Sequence, residues 1–281
     1  MAADHSSTLP APFSGPLLRP PALLACGAVR LAAQPGAATP SLAVACTPPP
    51  ATTAPDVPLA ATDPYHPAGD WAYLCYYRAD NAAVRRGRAP DIVFMGDSIT
   101  RNWITIDPAF FARGRRADRG IPAQTSAQML LRFGPDGIAL RPKVIHLMAG
   151  TNDIAANPGG LATKSYKANI TAMADLAKAN GIVLVIGAIL PADRFPWRPA
   201  MQPAEDIRAL NSWLRDFAAA RGLVFIDYHA ALSAPDGAAR EGLTCDGVHP
   251  TAAGYAVMAA LAEPALGNAV ARARGLAKLR S

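Results

Sequence analysis

Four short runs, DIVFM (91–95), KVIHLMAG (143–150), IVLVIGAIL (182–190) and LVFIDY (223–228), are apolar almost throughout. Nothing else in the chain restricts its fold as much. A strand that is apolar at successive rather than alternate positions needs cover on both faces, as in a parallel sheet between helix layers. The segments between the runs supply that cover. Asp70 to about Arg86 and residues 123–133 have helical patterns. Tyr166, Ile170, Met173 and Leu176 line one helical face that Gly181 ends, and Ile207, Leu210, Trp213, Leu214 and Phe217 line another that Gly222 stops. A short edge strand is expected to end near Gly120, and a helix from about Thr251 to Leu261 closes the pattern. Strand–helix alternation predicts an α/β domain with a central parallel sheet of about five strands. At 281 residues and 51% hydrophobic content the chain can fill one such core.

The domain is expected over residues 62–270. Residues 1–61 are dense in Ala, Pro, Ser and Thr and show no periodicity, so they read as a disordered leader. Within them, "SLAVAC" ending at Cys46 resembles a secretory cleavage or lipoprotein site, and "ALLAC" ending at Cys26 is a weaker instance. Localisation is therefore open between export and the cytoplasm. Residues 271–281 carry Arg272, Arg274, Lys278 and Arg280 and no acid, which is four of the net +6 charges. They read as a basic C-terminal tail, a frayed and solvated end. The body is then only about +2, which is no nucleic-acid footprint. No stretch is long and apolar enough for a membrane span. Cys26, Cys46, Cys75 and Cys245 show no metal-ligand spacing, and no glycine-rich phosphate loop follows a strand, so no metal or other cofactor is expected.

In an open parallel sheet, ligands bind at the C-terminal strand ends. "FMGDSIT" (94–100) places Ser98 there, and Gly120, Asn152 and Asp153 follow other strands. A serine hydroxyl is a weak nucleophile and needs a general base. Of the five histidines, His5 lies in the leader, His66 precedes the first helix, His146 falls mid-strand as a core histidine would, and His229 follows the last strand. His249, in "CDGVHP", sits in a loop before the closing helix, with Asp246 close enough in sequence to reach its Nδ1 across one tight turn. An ordinary helix-entry turn would read the same. An acyl-transfer site also needs oxyanion donors. The Ser98 N–H, the Gly120 N–H and the Asn152 amide are candidates, although Gly120 suits any turn and Asn152 any cap. Asp97 and Asp153 are expected to hold the rim loops through backbone N–H groups.

Taken together, "FMGDSIT", the glycine in "DRGIPAQT", "AGTND" and "DGVHP" resemble the four blocks of the SGNH-hydrolase (GDSL esterase/lipase) superfamily, in order and from about Asp70 to Leu266. The wording is nearest to its platelet-activating-factor acetylhydrolase-like subgroup. The resemblance implies a flavodoxin-like three-layer α/β/α sandwich, Ser98 as nucleophile, Asp246 and His249 completing a triad, and Gly120 and Asn152 as oxyanion donors beside Ser98. The chain departs from the pattern at Pro122-Ala123, where relatives often have Ser-Gly. It departs again at Cys245, which is either a free thiol like Cys75 or its disulfide partner.

The expected activity is a serine esterase that cleaves short-chain esters, acetyl esters foremost, through an acyl-enzyme. Arg101, Trp103, Trp197 and Arg198 are candidate substrate contacts, the last two from the Pro-rich "RFPWRP" excursion. The substrate is expected to be a small ester, such as an acetylated carbohydrate or lipid. A non-catalytic carbohydrate- or lipid-binding module on the same fold, or an acyltransferase to a sugar hydroxyl, is the alternative.

Overall fold

A computed structural model describes residues 70, 72–157 and 163–278. The leader with Cys26 and Cys46, together with His5 and His66, lies outside them. Five strands form one parallel sheet: β1 (Ile92–Gly96), β2 (Arg116–Gly120), β3 (Val144–Leu147), β4 (Val183–Gly187) and β5 (Val224–Ile226). Their spatial order is β2-β1-β3-β4-β5. The reversal beside β1 is a topological switch point, where a crevice opens at the strand ends. In register, Gly96 and Gly120 pair at that end.

Helices cover both faces, giving the expected three-layer α/β/α sandwich. On one face lie α2 (Ser98–Ile106) and α9 (Ala252–Lys278). On the other lie α4 (Ser126–Arg132), α6 (Thr163–Ala179) and α7 (Ala204–Arg221). Every residue of β1, β3 and β4 is buried, which is why these runs are apolar throughout. Tyr166, Ile170 and Met173 of α6 and Ile207, Leu210 and Leu214 of α7 face inward as expected, Trp213 and Phe217 are partly buried, and Leu176 is exposed, its place on the inner face taken by Ala174 and Ala177. Gly222 ends α7 with a φ of 61°.

Three boundaries differ from the sequence reading. The first helix, α1 (Arg78–Arg86), begins later than Asp70. The Asp70 carboxylate accepts the N–H groups of Leu74 and Cys75, and Tyr73 turns to a φ of 55°, so a side chain takes bonds a helix would need. Beyond α4, Gly134-Pro135 opens a π-helical turn, Phe133–Gly137, rather than a clean end. Residues 271–278 are not a separate tail. They continue α9 past Pro264, because Ala262, Leu266, Ala269 and Ala273 keep burying one face of it. That burial offsets the hydrogen bond the proline removes. Arg272 also donates to the Gly222 carbonyl at 2.7 Å. Among the described residues no helix is long and apolar enough to cross a membrane.

His146 is a core histidine. It is fully buried in β3, its Nε2 is 3.0 Å from the Tyr228 hydroxyl, and its ring lies against Phe94. Burial lowers its pKa to about 3, so it folds neutral. An unfolded histidine gains a proton below about 6.5 while the folded one resists it until about 3. The stability held by the neutral ring is thus complete above pH ~6.5 and lost as pH falls toward 3. We expect urea midpoints of His146→Gln to vary less with pH across that window than those of the wild type. Parallel profiles would show that His146 does not titrate there.

Candidate active site

The turn that ends β1 is tight because its residues allow it. A Cβ on Gly96 would lie 2.0 Å from Thr100 Oγ1. Asp97 then caps α2, its carboxylate accepting the Ile99 N–H at 2.9 Å. Ser98 is the first residue of the helix, so its hydroxyl stands at the sheet rim. There Ser98 Oγ lies 2.9 Å from His249 Nε2.

The histidine arrives on a loop closed on itself. Cys245 N–H donates to the His249 carbonyl at 2.8 Å, and Thr251 N–H to the Leu243 carbonyl at 3.0 Å. Inside this ring Asp246 Oδ1 accepts the N–H groups of Val248 and His249, and Oδ2 lies 2.8 Å from His249 Nδ1. Burial pushes the Asp246 carboxyl upward, but the His249 hydrogen bond and charge and the two N–H groups outweigh it and hold the pKa at about 2. Burial pushes His249 downward, yet the bond and charge of Asp246 and the charge of Asp97 leave it raised above 6.5. The chain thus brings Ser98, His249 and Asp246 into one relay. The serine would lose its proton to Nε2, and the carboxylate would favour the resulting imidazolium.

The expected oxyanion donors are placed less simply. Gly120 N–H is already donated to Asp118 Oδ1 at 2.8 Å. A Cβ on Gly120 would lie 2.3 Å from Arg101 N, so the glycine is what lets β2 pack closely against α2. Asn152 opens α5 (Thr151–Ile154) directly after β3, and its Nδ2 donates to Asp97 Oδ2 at 3.2 Å and the Gln124 carbonyl at 3.1 Å. Asn157 Nδ2 donates to Asn152 Oδ1 at 2.7 Å and fixes the amide's orientation. Along the loop after β2, Ile121 N–H goes to the Gly96 carbonyl, Gln124 N–H to the Ile121 carbonyl, Thr125 N–H to Gln128, and Ser126 N–H to Asp153. Pro122 has none. Ala123 N–H makes no hydrogen bond among the described residues, and Ala123 holds a φ of 63°.

Behind the rim sits a residue the sequence reading passed over. Arg132 is fully buried, donates from Nη2 to the Gly96 carbonyl at 2.9 Å and from Nε to Gln124 Oε1, and pairs with Asp136. It ties the end of β1 to the loop that carries Ala123. Its signal in the sequence was a charge in the 123–133 helical pattern. Asp97 and Asp153 do hold rim loops, Asp153 through the Ser126 N–H and hydroxyl. Burial raises the Asp97 pKa to about 6.

Among the remaining candidates, Trp103 is corrected. It is fully buried, stacked between Phe110 (4.5 Å) and Tyr255 (5.6 Å), and is core rather than pocket. Arg101 pairs with Asp118 at 3.0 Å and stays partly exposed. Trp197 is 37% exposed, and its ring centroid lies 6.2 Å from that of His249. Arg198 reaches the Ala156 carbonyl at 3.5 Å. Cys75 is a free thiol and Cys245 is disulfide-bonded, so the two neither pair with each other nor both stay free. Among the described residues no group of three His, Cys, Asp or Glu side chains is arranged to hold a metal ion.

Adding a methyl at position 120 forces backbone against backbone. We expect Gly120→Ala to lose at least 2 kcal/mol of stability, on the order of the worst overpacking substitutions. A thermal melt checks this, and an unshifted midpoint would show that position 120 has room for a methyl group.

This geometry can be set beside known proteins. A search of curated proteins finds no match. A GDSL-like lipase from Bacteroides thetaiotaomicron has 38% identity and a TM-score of 0.67, with 70% of this chain and 98% of that one covered. An acylhydrolase candidate from Bacteroides fragilis has 39% identity and a TM-score of 0.68, covering 71% of this chain and 98% of that one. The profile of the GDSL-like Lipase/Acylhydrolase family matches residues 94–257, from the strand before Ser98 to the helix after His249. The chain therefore belongs to the GDSL-like lipase/acylhydrolase family, within the SGNH hydrolases, and is a carboxylic ester hydrolase.

Proposed function

We propose that this protein hydrolyses short-chain esters, acetyl esters foremost, through an acyl-enzyme on Ser98. The observation that carries the reading is the unbroken Ser98–His249–Asp246 relay, with contacts of 2.9 and 2.8 Å. Ser98 Oγ attacks the ester carbonyl while His249 Nε2 takes its proton. The tetrahedral intermediate collapses, His249 protonates the departing alcohol, and the acyl group stays on Ser98. Water, deprotonated by His249, then releases the acid. Asp246 keeps the proton on Nδ1 and leaves Nε2 free to accept.

The developing oxyanion takes the Ser98 N–H at the start of α2, the Ala123 N–H and the Asn152 amide. Ala123 replaces Gly120 in this role because its N–H has no other acceptor among the described residues. Asn152 gives up one of its two long contacts to serve. Such donors act on the transition state more than on the bound ester, so their loss appears in kcat.

The test is hydrolysis of p-nitrophenyl acetate, butyrate and octanoate. We expect turnover to fall with acyl length, to vanish in Ser98→Ala, and to drop by roughly 10²–10³ in Asn152→Ala without loss of fold. Octanoate as the best substrate would reject the short acyl site, and a fully active Ser98→Ala would reject the nucleophile.

His249 must be neutral to act as base. Because its pKa is raised, kcat/KM should fall on the acid side through a value above 6.5. Asp246→Asn should move that limb to lower pH and cut kcat by about 10⁴. A limb that stays in place in the variant would detach Asp246 from the base.

A further inference from the structure

We propose that the alcohol half of the ester is a sugar ring, seated on the exposed face of Trp197. This rests on the triad reading above and concerns what lies beside it. The leaving oxygen must sit at His249, because that residue returns its proton. The ring next to His249 on the open side is Trp197, with centroids 6.2 Å apart. The departing alcohol therefore passes over the indole.

Trp197 is built to stay where it is. It stacks on Phe195, which is fully buried, at 5.2 Å and 18°. Phe195 and Arg198 form an antiparallel bridge, and the Arg198 N–H donates to the Phe195 carbonyl at 2.8 Å. The Met201 N–H donates in turn to the Arg198 carbonyl at 2.9 Å. One indole face is thus spent on the core and the rest is held out at the mouth of the site. A single exposed apolar side chain is unremarkable on a protein surface. A rigid exposed indole against the general base is placed where a substrate must lie.

The chemistry of its surroundings selects the ligand. A flat aromatic face offers negative charge to the slightly positive C–H groups of a pyranose ring. On the triad loop's border, Asp193 Oδ1 stands 3.9 Å from where a Cβ on Gly247 would be, two residues from the His249 that Trp197 faces, and this carboxylate is half-exposed. The only ion pair it makes among the described residues is with Arg194, at 3.8 Å, and that arginine is largely exposed. It keeps acceptor capacity for hydroxyl groups. An aromatic platform flanked by an acceptor fits a hydroxylated ring better than an alkyl chain, which has nothing to donate.

The experiment compares 6-O-acetylglucose, phenyl acetate and n-hexyl acetate with wild type, Trp197→Ala, Trp197→Phe and Asp193→Asn, each checked for an unchanged thermal midpoint. For acetylglucose we expect Trp197→Ala to lose about tenfold or more in kcat/KM, mainly through KM, and Trp197→Phe to recover most of it. Asp193→Asn should lose activity on acetylglucose and not on phenyl acetate. Hexyl acetate should change less than about twofold in every variant. Equal losses on all three esters would overturn the proposal, since Trp197 would then support His249 and not the alcohol. So would a loss confined to phenyl acetate, which would make the shelf an aryl site, or one largest on hexyl acetate, which would make it an alkyl site. Ser98→Ala separates the two readings: if it keeps activity, the triad fails, whatever Trp197 does.

Discussion

The active-site rim is organised around a guanidinium that no water reaches. A buried arginine without partners would be too costly to retain, and Arg132 meets the cost by bonding in three directions. It takes the carbonyl at the end of β1, the side chain of Gln124 and the carboxylate of Asp136. Asp136 is itself held by Asn81 at 2.6 Å. The strand that leads to Ser98 and the loop that carries Ala123 are thereby bound to a common point. Neither can shift alone without leaving a buried guanidinium N–H without its acceptor.

How far this was legible from sequence depends on the kind of interaction. The sheet was readable because β1, β3 and β4 are buried on both faces, so their burial is written as unbroken apolar runs. The relay was readable because Asp246 and His249 are local to each other and Ser98 directly follows a strand. The packing role of Gly120 was not legible because a glycine shows that space is short and not which neighbour fills it. Here the neighbour is the backbone of Arg101. Trp103 failed because position along the helix from Ser98 does not tell which face the side chain takes, and α9 packs over that face. The continuation of α9 was hidden by Pro264, a local stop signal overruled by Leu266, Ala269 and Ala273.

Two carboxylates near the site are tuned in opposite directions by the same low-dielectric surroundings. Asp246 bonds a partner able to carry positive charge and stays ionised far into acid. Asp97 has no cation in contact among the described residues, and burial dominates its backbone N–H bond and the field of His249. It also sits against Asn152 Nδ2, so its charge bears on that amide as well as on His249. Of this pair, Asp246 keeps its negative charge near neutrality, while the charge on Asp97 changes around pH 6.

The loop of His249 and Asp246 closes on itself before it touches anything else, and Gly254 lets α9 come close enough to Leu243 to hold it. Ser98 is 151 positions away along the chain, and its helix meets α9 through the Tyr255 hydroxyl on the Ile99 carbonyl at 2.7 Å. The two halves of the relay are therefore separate prefabricated parts that meet only when α2 and α9 pack side by side on one face of the sheet. Contacts so distant in sequence carry the largest loop-closure cost and form late. Regain of catalysis during refolding would report completion of the whole domain, and no partly assembled intermediate could turn over an ester.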